Sequence, residues 1–164
     1  MSHPHCAGFW TTGYPGQRQR HTGPRIPVII VDTNVWREIS HAQGNKRVKQ
    51  WFVDHESELL LSSIVLSEML YGVCKMDDGR KKQLMLGWYA RLEAEFSERI
   101  LDYDRKCALA YGELANEIRV QGLDTGVTDT MIAAQAVANK AAIATRNVKD
   151  FAFAGISVID PWAA

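Results

Sequence analysis

The segment IPVIIVD, from Ile26 to Asp32, is the clearest structural signal in this chain. Its first six residues form an unbroken apolar run in which β-branched side chains predominate. A continuous run of this kind is typical of a strand that is covered on both faces, as in parallel sheets. Asp32 follows at once. We therefore predict a buried central strand that ends at a carboxylate.

Strand-like and helical segments alternate along the rest of the chain. Further strands are predicted at Glu58 to Leu61, near Ile100, at Ala142 to Thr145 and at Ile156 to Ile159. Helical spacing appears between them, where apolar residues recur every four positions at Leu84, Trp88, Leu92 and Phe96. This alternation predicts an α/β fold with a mostly parallel central sheet flanked by helices.

The composition is that of one globular domain. The 164 residues are 46% apolar and 23% charged, and the three cysteines do not form a disulfide pattern. The apolar runs are much shorter than the roughly 18 residues of a membrane span, and no signal-peptide core is visible. These features exclude collagen-like, disulfide-scaffold and membrane-spanning classes. We expect a cytoplasmic protein with no membrane partner.

The beginning of the chain differs from the rest. The first 27 residues contain four of the five prolines and show no helical or alternating pattern. We predict a disordered or extended N-terminal arm over residues 1–25 and a folded domain over residues 26–164. The first 27 residues also carry three arginines and no acid, which leaves 16 basic and 19 acidic residues elsewhere. Attraction for nucleic acid must therefore come from local patches or a bound metal ion.

Two acidic residues lie where this fold class places ligands. Asp32 directly follows the first strand, and ligands of open α/β sheets bind beyond the carboxyl ends of the strands. It is equally well placed to cap a helix that begins at Thr33. Glu68 lies on a predicted helix, next to Met69 at the border of the apolar face. The alternative for Glu68 is an ordinary solvated side chain.

Two further acids occupy similar positions. We predict Thr128 as a helix N-cap, which places Asp129 in the first turn, where the helix dipole also favours a carboxylate. Asn147 and Asp150 lie in the polar segment after the strand that ends near Thr145. That position is again at the carboxyl edge of the sheet, and a simple turn stabilised by Asn and Asp is the alternative.

Together these acids predict a metal site. Carboxylates about 4 Å apart repel by roughly 4 kcal/mol at an effective dielectric near 20, so several stay ionised together only beside a cation. Ligands that are all oxygen favour Mg²⁺ or Mn²⁺ over Zn²⁺. Because ions held in this way orient water and polarise phosphoryl oxygens, phosphodiester hydrolysis is the predicted chemistry.

Four motifs in this order resemble those of the PIN-domain ribonucleases. They are VDTNV (residues 31–35), SEMLYG (67–72), TDTMIAA (128–134) and ATRNVKDF (144–151). The VapC and FitB-like toxins of prokaryotic toxin–antitoxin pairs are the most similar group, over about residues 28–162. The resemblance implies a PIN-like three-layer fold. It also implies a type II toxin that is a Mg²⁺-dependent endoribonuclease, for which Mn²⁺ can substitute.

The resemblance assigns roles to particular residues. Asp32 and Asp129 match the principal metal ligands of the family, and Glu68 matches its third acid. The fourth acid corresponds to Asn147 in some members and to Asp150 in others. Only Asp150 is ionisable in this chain, so it is the better candidate for a catalytic carboxylate.

Neighbouring polar residues and partners follow from the same resemblance. Three residues are expected to position the ligands or the scissile phosphate: Thr33, Asn34 and Thr128. Four more are candidate contacts for the ligands or for RNA phosphates: Arg37, Arg146, Asn147 and Lys149. The expected partners are an RNA substrate and a cognate antitoxin whose C-terminal segment covers the acids. A homodimer or a toxin–antitoxin hetero-oligomer is expected.

Two other functions fit part of the pattern. A phosphotransferase of the haloacid-dehalogenase type needs a second Asp where this chain has Asn34, and Lys149 is a poor match for the lysine of a response regulator. A PIN-like binding module, acting with its antitoxin in DNA-binding autorepression without strong catalysis, is the other alternative. The intact acids Asp32, Glu68 and Asp129 favour the nuclease.

Overall fold

The computed structural model describes residues 28–164, which contain a five-stranded sheet. The strands are β1 (Ile29–Val31), β2 (Leu59–Ser62), β3 (Ile100–Leu101), β4 (Ala142–Ala144) and β5 (Val158–Ile159). Their order across the sheet is β3-β2-β1-β4-β5, and every pair of neighbours is parallel. The predicted parallel sheet is confirmed.

Helices connect the strands. The α-helices are α1 (Thr33–Ser40), α2 (Lys46–Asp54), α3 (Ser63–Cys74), α4 (Arg80–Glu95), α5 (Arg105–Gln121) and α6 (Val127–Asn139). The 3₁₀ helices are Glu56–Glu58, Ser97–Arg99 and Val148–Ala154. Among the described residues, none of the helices combines the length and apolar character that a membrane crossing needs. The α/β class is confirmed.

Strand β1 lies at the centre of the sheet because its side chains are apolar on both faces. Ile30 pairs with Leu60 of β2 on one side and with Ile143 of β4 on the other. All three residues of β1 are at most 2% exposed. The described part of the IPVIIVD segment is therefore the buried central strand that the sequence predicts.

Trp36 fixes helix α1 directly behind the end of β1. Its indole N–H donates a hydrogen bond to the carbonyl of Val31 (2.9 Å). Its ring makes edge contacts with Phe52 of α2 and Phe96 after α4, at centroid distances of 5.2 and 5.1 Å. Because Asp32 lies between Val31 and this anchored helix, its backbone position is set by the core.

The structure corrects the predicted start of helix α6. The helix begins at Val127 and Gly126 occupies the N-cap position, so Thr128 lies inside the helix. The prediction of Thr128 as N-cap is wrong because the Gly126 carbonyl already accepts hydrogen bonds from both the N–H and the hydroxyl of Thr130. Asp129 remains in the first helical turn.

The segment that follows β4 is more regular than a simple turn. Val148–Ala154 forms a 3₁₀ helix that Asn147 precedes, and the N–H of Asp150 donates to the carbonyl of Asn147 (3.0 Å). The predicted arm, residues 1–25, and the first two residues of the predicted strand, 26–27, lie outside the described residues.

Candidate functional site

Three hydrogen-bond donors hold the carboxylate of Asp32. Oδ1 accepts from the backbone N–H of Thr33 (2.6 Å), and Oδ2 accepts from the side-chain amide of Asn34 (2.5 Å) and the hydroxyl of Thr145 (2.7 Å). Asp32 is 6% exposed. The carboxylate therefore has one fixed orientation at the end of β1.

Thr145 connects the ends of β1 and β4. Its buried hydroxyl donates to Asp32 and accepts from the side chain of Asn34 (2.9 Å) and the backbone N–H of Asn147 (3.0 Å). The N–H of Arg146 donates to Oδ1 of Asn34 (3.2 Å). The loop after β4 is thus tied to Asp32 through Thr145 directly and through Asn34.

Glu68 reaches the same edge of the sheet from helix α3. Ser62 ends β2 and caps α3, because its hydroxyl accepts hydrogen bonds from the N–H groups of Ile64 and Val65. Glu68 is half-buried, and its Oε2 atom accepts from the hydroxyl of Thr33 (2.6 Å). Thr33 therefore donates to two acids, with its backbone to Asp32 and with its side chain to Glu68.

Asp129 enters from the first turn of α6, next to Gly126. A Cβ atom at position 126 would lie 3.0 Å from Oδ2 of Asp129, so a larger residue would require a small shift of the carboxylate. Glycine at this position therefore permits the close approach of the side chain and does not serve an unusual backbone angle.

Burial and mutual repulsion perturb these acids. Burial, followed by the negative charges of Asp32, Asp150 and Glu68, raises the pKa of Asp129 to about 6. Burial also raises the pKa of Asp32, against the opposing hydrogen bonds from Thr145 and Thr33, and the charges of Glu68 and Asp150 add to the increase. We call Asp32, Glu68, Asp129 and Asp150 the acidic cluster.

Asp150, rather than Asn147, contributes the fourth charge. Asp150 is half-buried in the 3₁₀ helix after β4, and its charge acts on both Asp32 and Asp129. Asn147 is exposed, and its described hydrogen bonds, to the hydroxyl of Thr145 and from the N–H of Asp150, are made by its backbone. Electrostatics thus favour Asp150 among the two candidates for the fourth position.

The acidic cluster has the chemistry of a cation site. Within residues 28–164 the ion pairs involve Asp78 and Glu56, so no basic side chain neutralises the cluster. The described residues contain no set of three or more acidic, histidine or cysteine side chains placed to hold one metal ion. Mg²⁺ does not require such a set, since it is commonly held by one or two carboxylates and keeps several waters. The oxygen donors of Asp32 and Asp129 fit that mode of binding.

The remaining predicted residues lie around the cluster. Thr128 is half-buried in the first turn of α6, whereas Arg37, Arg146 and Lys149 are exposed. The guanidinium of Arg146 lies 5.4 Å from the ring centroid of Trp162. These three cations lie near the acidic cluster, and none of them forms a described ion pair with its carboxylates.

Two residues of the site were not predicted from the sequence. Thr145 has a recognisable signal, because it ends the strand that neighbours β1 and therefore meets Asp32 at the same edge. Gly126 has a weaker one, a glycine three positions before an acid at the start of a helix. Both act on carboxylates that the motifs do identify.

Comparison with known proteins gives a consistent result. The family model of the PIN domain matches residues 29–154. The plasmid stability protein StbB of Pseudomonas syringae pv. tomato is 36% identical over 139 residues, which are 84% of this chain and 100% of that protein. The VapC ribonuclease Y4jK of Sinorhizobium fredii is 32% identical over 140 residues, with 82% of this chain and 98% of that protein covered.

The toxin FitB of Neisseria gonorrhoeae is also similar to this chain. The two are 32% identical over 140 residues, which are 82% of this chain and 99% of the toxin. The crystal structure of FitAcB from Neisseria gonorrhoeae superimposes with a TM-score of 0.78 and 29% identity, over 84% of this chain and 100% of that one. The described fold and this solved structure therefore agree over nearly the whole domain.

Proposed function

This chain belongs to the PIN-domain family, and on that basis we propose that it is the endoribonuclease toxin of a type II toxin–antitoxin pair. The acidic cluster is the observation that carries the proposal. Four carboxylates from β1, α3, α6 and the 3₁₀ helix share one edge of the sheet, and no described cation neutralises them. The ribonuclease and toxin names of the relatives support the same activity.

Asp32 and Asp129 are the residues that would hold the metal ion. Bound Mg²⁺, or Mn²⁺ in its place, would polarise a phosphoryl oxygen and make water a better nucleophile. Asp32 is already fixed by its three donors, so it loses little conformational freedom when it binds an ion. Asp129 is free to ionise fully once a positive charge offsets its neighbours.

Glu68 and Asp150 are the candidates for general base. Oε2 of Glu68 accepts from Thr33, which orients the carboxylate and leaves Oε1 to accept a hydrogen bond from the attacking water. Asp150 approaches the cluster from the 3₁₀ helix Val148–Ala154, which follows the loop that Thr145 ties to Asp32. In-line attack by water needs no covalent intermediate. Exposed Arg37, Arg146 and Lys149 are placed to contact the flanking phosphates.

We also propose a cognate antitoxin as the physiological partner. An antitoxin segment that reaches the acidic cluster would block the cluster and balance its charge. A homodimer of the toxin, or a hetero-oligomer with the antitoxin, is the expected assembly.

The test is cleavage of single-stranded and structured RNA by purified protein in Mg²⁺, in Mn²⁺ and in EDTA. We expect cleavage with either metal and none in EDTA. Asp32→Ala and Asp129→Ala should each lower kcat by at least about 100-fold, since each removes a metal ligand. Asp54→Ala is the matched control, because Asp54 is exposed at the end of α2 and bonds only to Gln50 among the described contacts.

Two outcomes would contradict the proposal. Equal cleavage in EDTA would exclude metal-dependent hydrolysis. Absence of cleavage of every RNA tested, by folded protein free of antitoxin, would favour the binding module that acts with its antitoxin on DNA.

A further inference from the structure

A recess of about 400 Å³ opens beside the acidic cluster, between helices α1, α3 and α4. Thr33 and Glu68, which are hydrogen-bonded to each other, form part of its wall. We call it the α1–α3–α4 recess. Because these two residues also border Asp32, the recess and the proposed reaction centre are continuous.

The lining of this recess combines aromatic and cationic side chains. Trp88 and Tyr89 of α4 are half-buried in its wall and pack on the core, beside the apolar side chain of Met69. Arg37 and Lys81 also line it, and neither forms an ion pair with any described residue. Aromatic side chains beside cations that form no described ion pair are the combination that binds a nucleobase and its flanking phosphates.

Two other recesses border the cluster and are less suitable. The one next to Asp150 has a volume of about 460 Å³, and its lining carries two carboxylates, Asp124 and Asp150, with one cation, Lys149. The α1–α3–α4 recess has the reverse balance, with one carboxylate and two cations, which suits a polyanion better. The one formed by Asn34, Arg146 and Trp162 has a volume of only about 210 Å³, and the guanidinium of Arg146 already lies over the indole ring.

We propose that the α1–α3–α4 recess is a nucleobase subsite, which receives the base of the single-stranded nucleotide next to the scissile phosphate. The proposal rests on the ribonuclease function proposed above. A phosphodiester held at Asp32 and Asp129 has a nucleoside on each side, and the one directed toward Glu68 would enter the recess, which begins there. Arg37 and Lys81 then lie at the rim, where the phosphate of that nucleotide passes.

Gly72 of α3 allows the recess to be filled without disturbing the core. It lines the recess, and a Cβ atom at this position would meet no atom within 4 Å. Gly72→Leu therefore adds bulk to the recess while improving helix propensity by up to about 1 kcal/mol. Gly72→Ala is the control for propensity. Gly112→Leu is the control for an added leucine, because Gly112 is exposed on α5 and its Cβ direction is also open.

We expect Gly72→Leu to raise KM for single-stranded RNA by about tenfold, the size of one lost stacking contact, with a smaller change in kcat. Its preference for the base next to the cut should also weaken. Gly112→Leu should keep the wild-type KM, whereas Gly72→Ala, which adds only one methyl group to the recess, should raise KM less than Gly72→Leu does. As a second measurement, a non-cleavable 2′-O-methyl oligonucleotide containing 2-aminopurine should show quenched fluorescence with wild-type protein and not with Gly72→Leu.

The outcomes separate this proposal from the proposed function. Metal-dependent cleavage with unchanged KM, base preference and 2-aminopurine quenching in Gly72→Leu would overturn the subsite, retain the nuclease and leave the recess to a protein segment. Quenching that Gly72→Leu abolishes, in a protein that cleaves no RNA, would support base binding and reject the nuclease. Trp88→Leu, which keeps an apolar side chain, should reproduce the tenfold change in KM, and an unchanged KM in this variant would also contradict the proposal.

Discussion

At the residue scale, single side chains serve both the fold and the proposed chemistry. The sequence leaves open whether Asp32 caps a helix or binds a ligand, and the structure makes the cap plain, since Oδ1 accepts the N–H of Thr33. The cap does not exclude the second role. Oδ2 is fixed separately by Asn34 and Thr145, so the same carboxylate is oriented for a cation.

Asp129 gives a prediction about pH and stability in metal-free protein. Its pKa is raised from 3.8 to about 6 in the folded state, so the folded protein binds this proton more tightly than the unfolded chain does. The stability that this group contributes is therefore present below pH 3.8 and is lost as the pH rises to about 6. Asp129→Asn removes the ionisation, so its free energy of unfolding relative to wild type should increase between these pH values and level off above them.

Urea unfolding in EDTA at a series of pH values measures this difference. Asp54→Asn is the control, because it replaces an exposed carboxylate outside the acidic cluster. A constant difference between Asp129→Asn and wild type across the series would show that burial and the neighbouring charges do not raise the pKa of Asp129 as described.

The hydroxyl of Thr145 is expected to position the carboxylate of Asp32 for metal binding. Thr145→Val keeps the shape of the side chain but removes the hydroxyl that donates to Asp32 and accepts from Asn34 and the N–H of Asn147. We expect Mn²⁺ affinity to fall by about 10- to 100-fold, the usual effect of losing a group that orients a metal ligand. Thr145→Ser should restore affinity. Calorimetric titration with Mn²⁺ measures it, and equal affinities for the Val and Ser variants would contradict the role.

At the scale of elements, strand-to-helix junctions organise this protein. Val31 leads into α1 through Asp32, and Ser62 leads from β2 into α3 as its cap. In each case a short polar side chain ends the strand, satisfies free N–H groups of the helix and brings a functional residue to the carboxyl edge. Because the strands are parallel, all such junctions lie at one edge.

Asp104 also caps a helix, α5, and does not belong to the acidic cluster, so its substitution measures the effect of a cap alone. Its Oδ1 atom accepts hydrogen bonds from the N–H groups of Lys106 (2.9 Å) and Cys107 (3.1 Å). Asp104→Ala should lower the free energy of unfolding by about 1 kcal/mol, and Asp104→Asn by much less. RNA cleavage should not change. Chemical unfolding measures the effect, with the exposed Asp102→Ala as control.

The same cap has a pH dependence of opposite sign to that of Asp129. Hydrogen bonds from the backbone of Cys107 lower the pKa of Asp104. The stability it contributes is present above the unfolded value of 3.8 and is lost as pH falls through the lower folded value. The difference in stability between wild type and Asp104→Ala should therefore become smaller in strong acid, and a difference that stays constant down to acid pH would contradict this.

At the scale of the whole molecule, the sequence correctly predicts those strands and helices that a local pattern of residues encodes. The apolar run before Asp32 predicts the central strand, and the strand near Ile100 is correctly placed although it has only two residues. The start of α6 is predicted incorrectly because Thr128 resembles a cap, whereas the structure uses Gly126 with Thr130.

Contacts between distant residues explain what the sequence does not reveal. Thr145 and Asp32 are 113 positions apart, and only the pairing of β4 with β1 brings them together. The α1–α3–α4 recess likewise depends on how three helices pack, which no periodicity in one of them specifies. The acids themselves are predicted because their motifs are local.

Residues 1–25 are expected to be dispensable for the stability of the domain and for its kcat. Every strand of the described sheet and every member of the acidic cluster lies between Ile29 and Ile159. A chain that starts at Ile26 should therefore keep the thermal midpoint of the full chain within about 2 °C, less than a loss of 1 kcal/mol would produce, and should keep its kcat for RNA.

Since the deleted segment contains Arg18, Arg20 and Arg25, an increase in KM that disappears at high salt would show that the arm contributes phosphate contacts. Loss of kcat at saturating RNA, by a shortened protein with an unchanged thermal midpoint, would instead show that the reaction centre includes a group from the arm and that the acidic cluster alone is not sufficient.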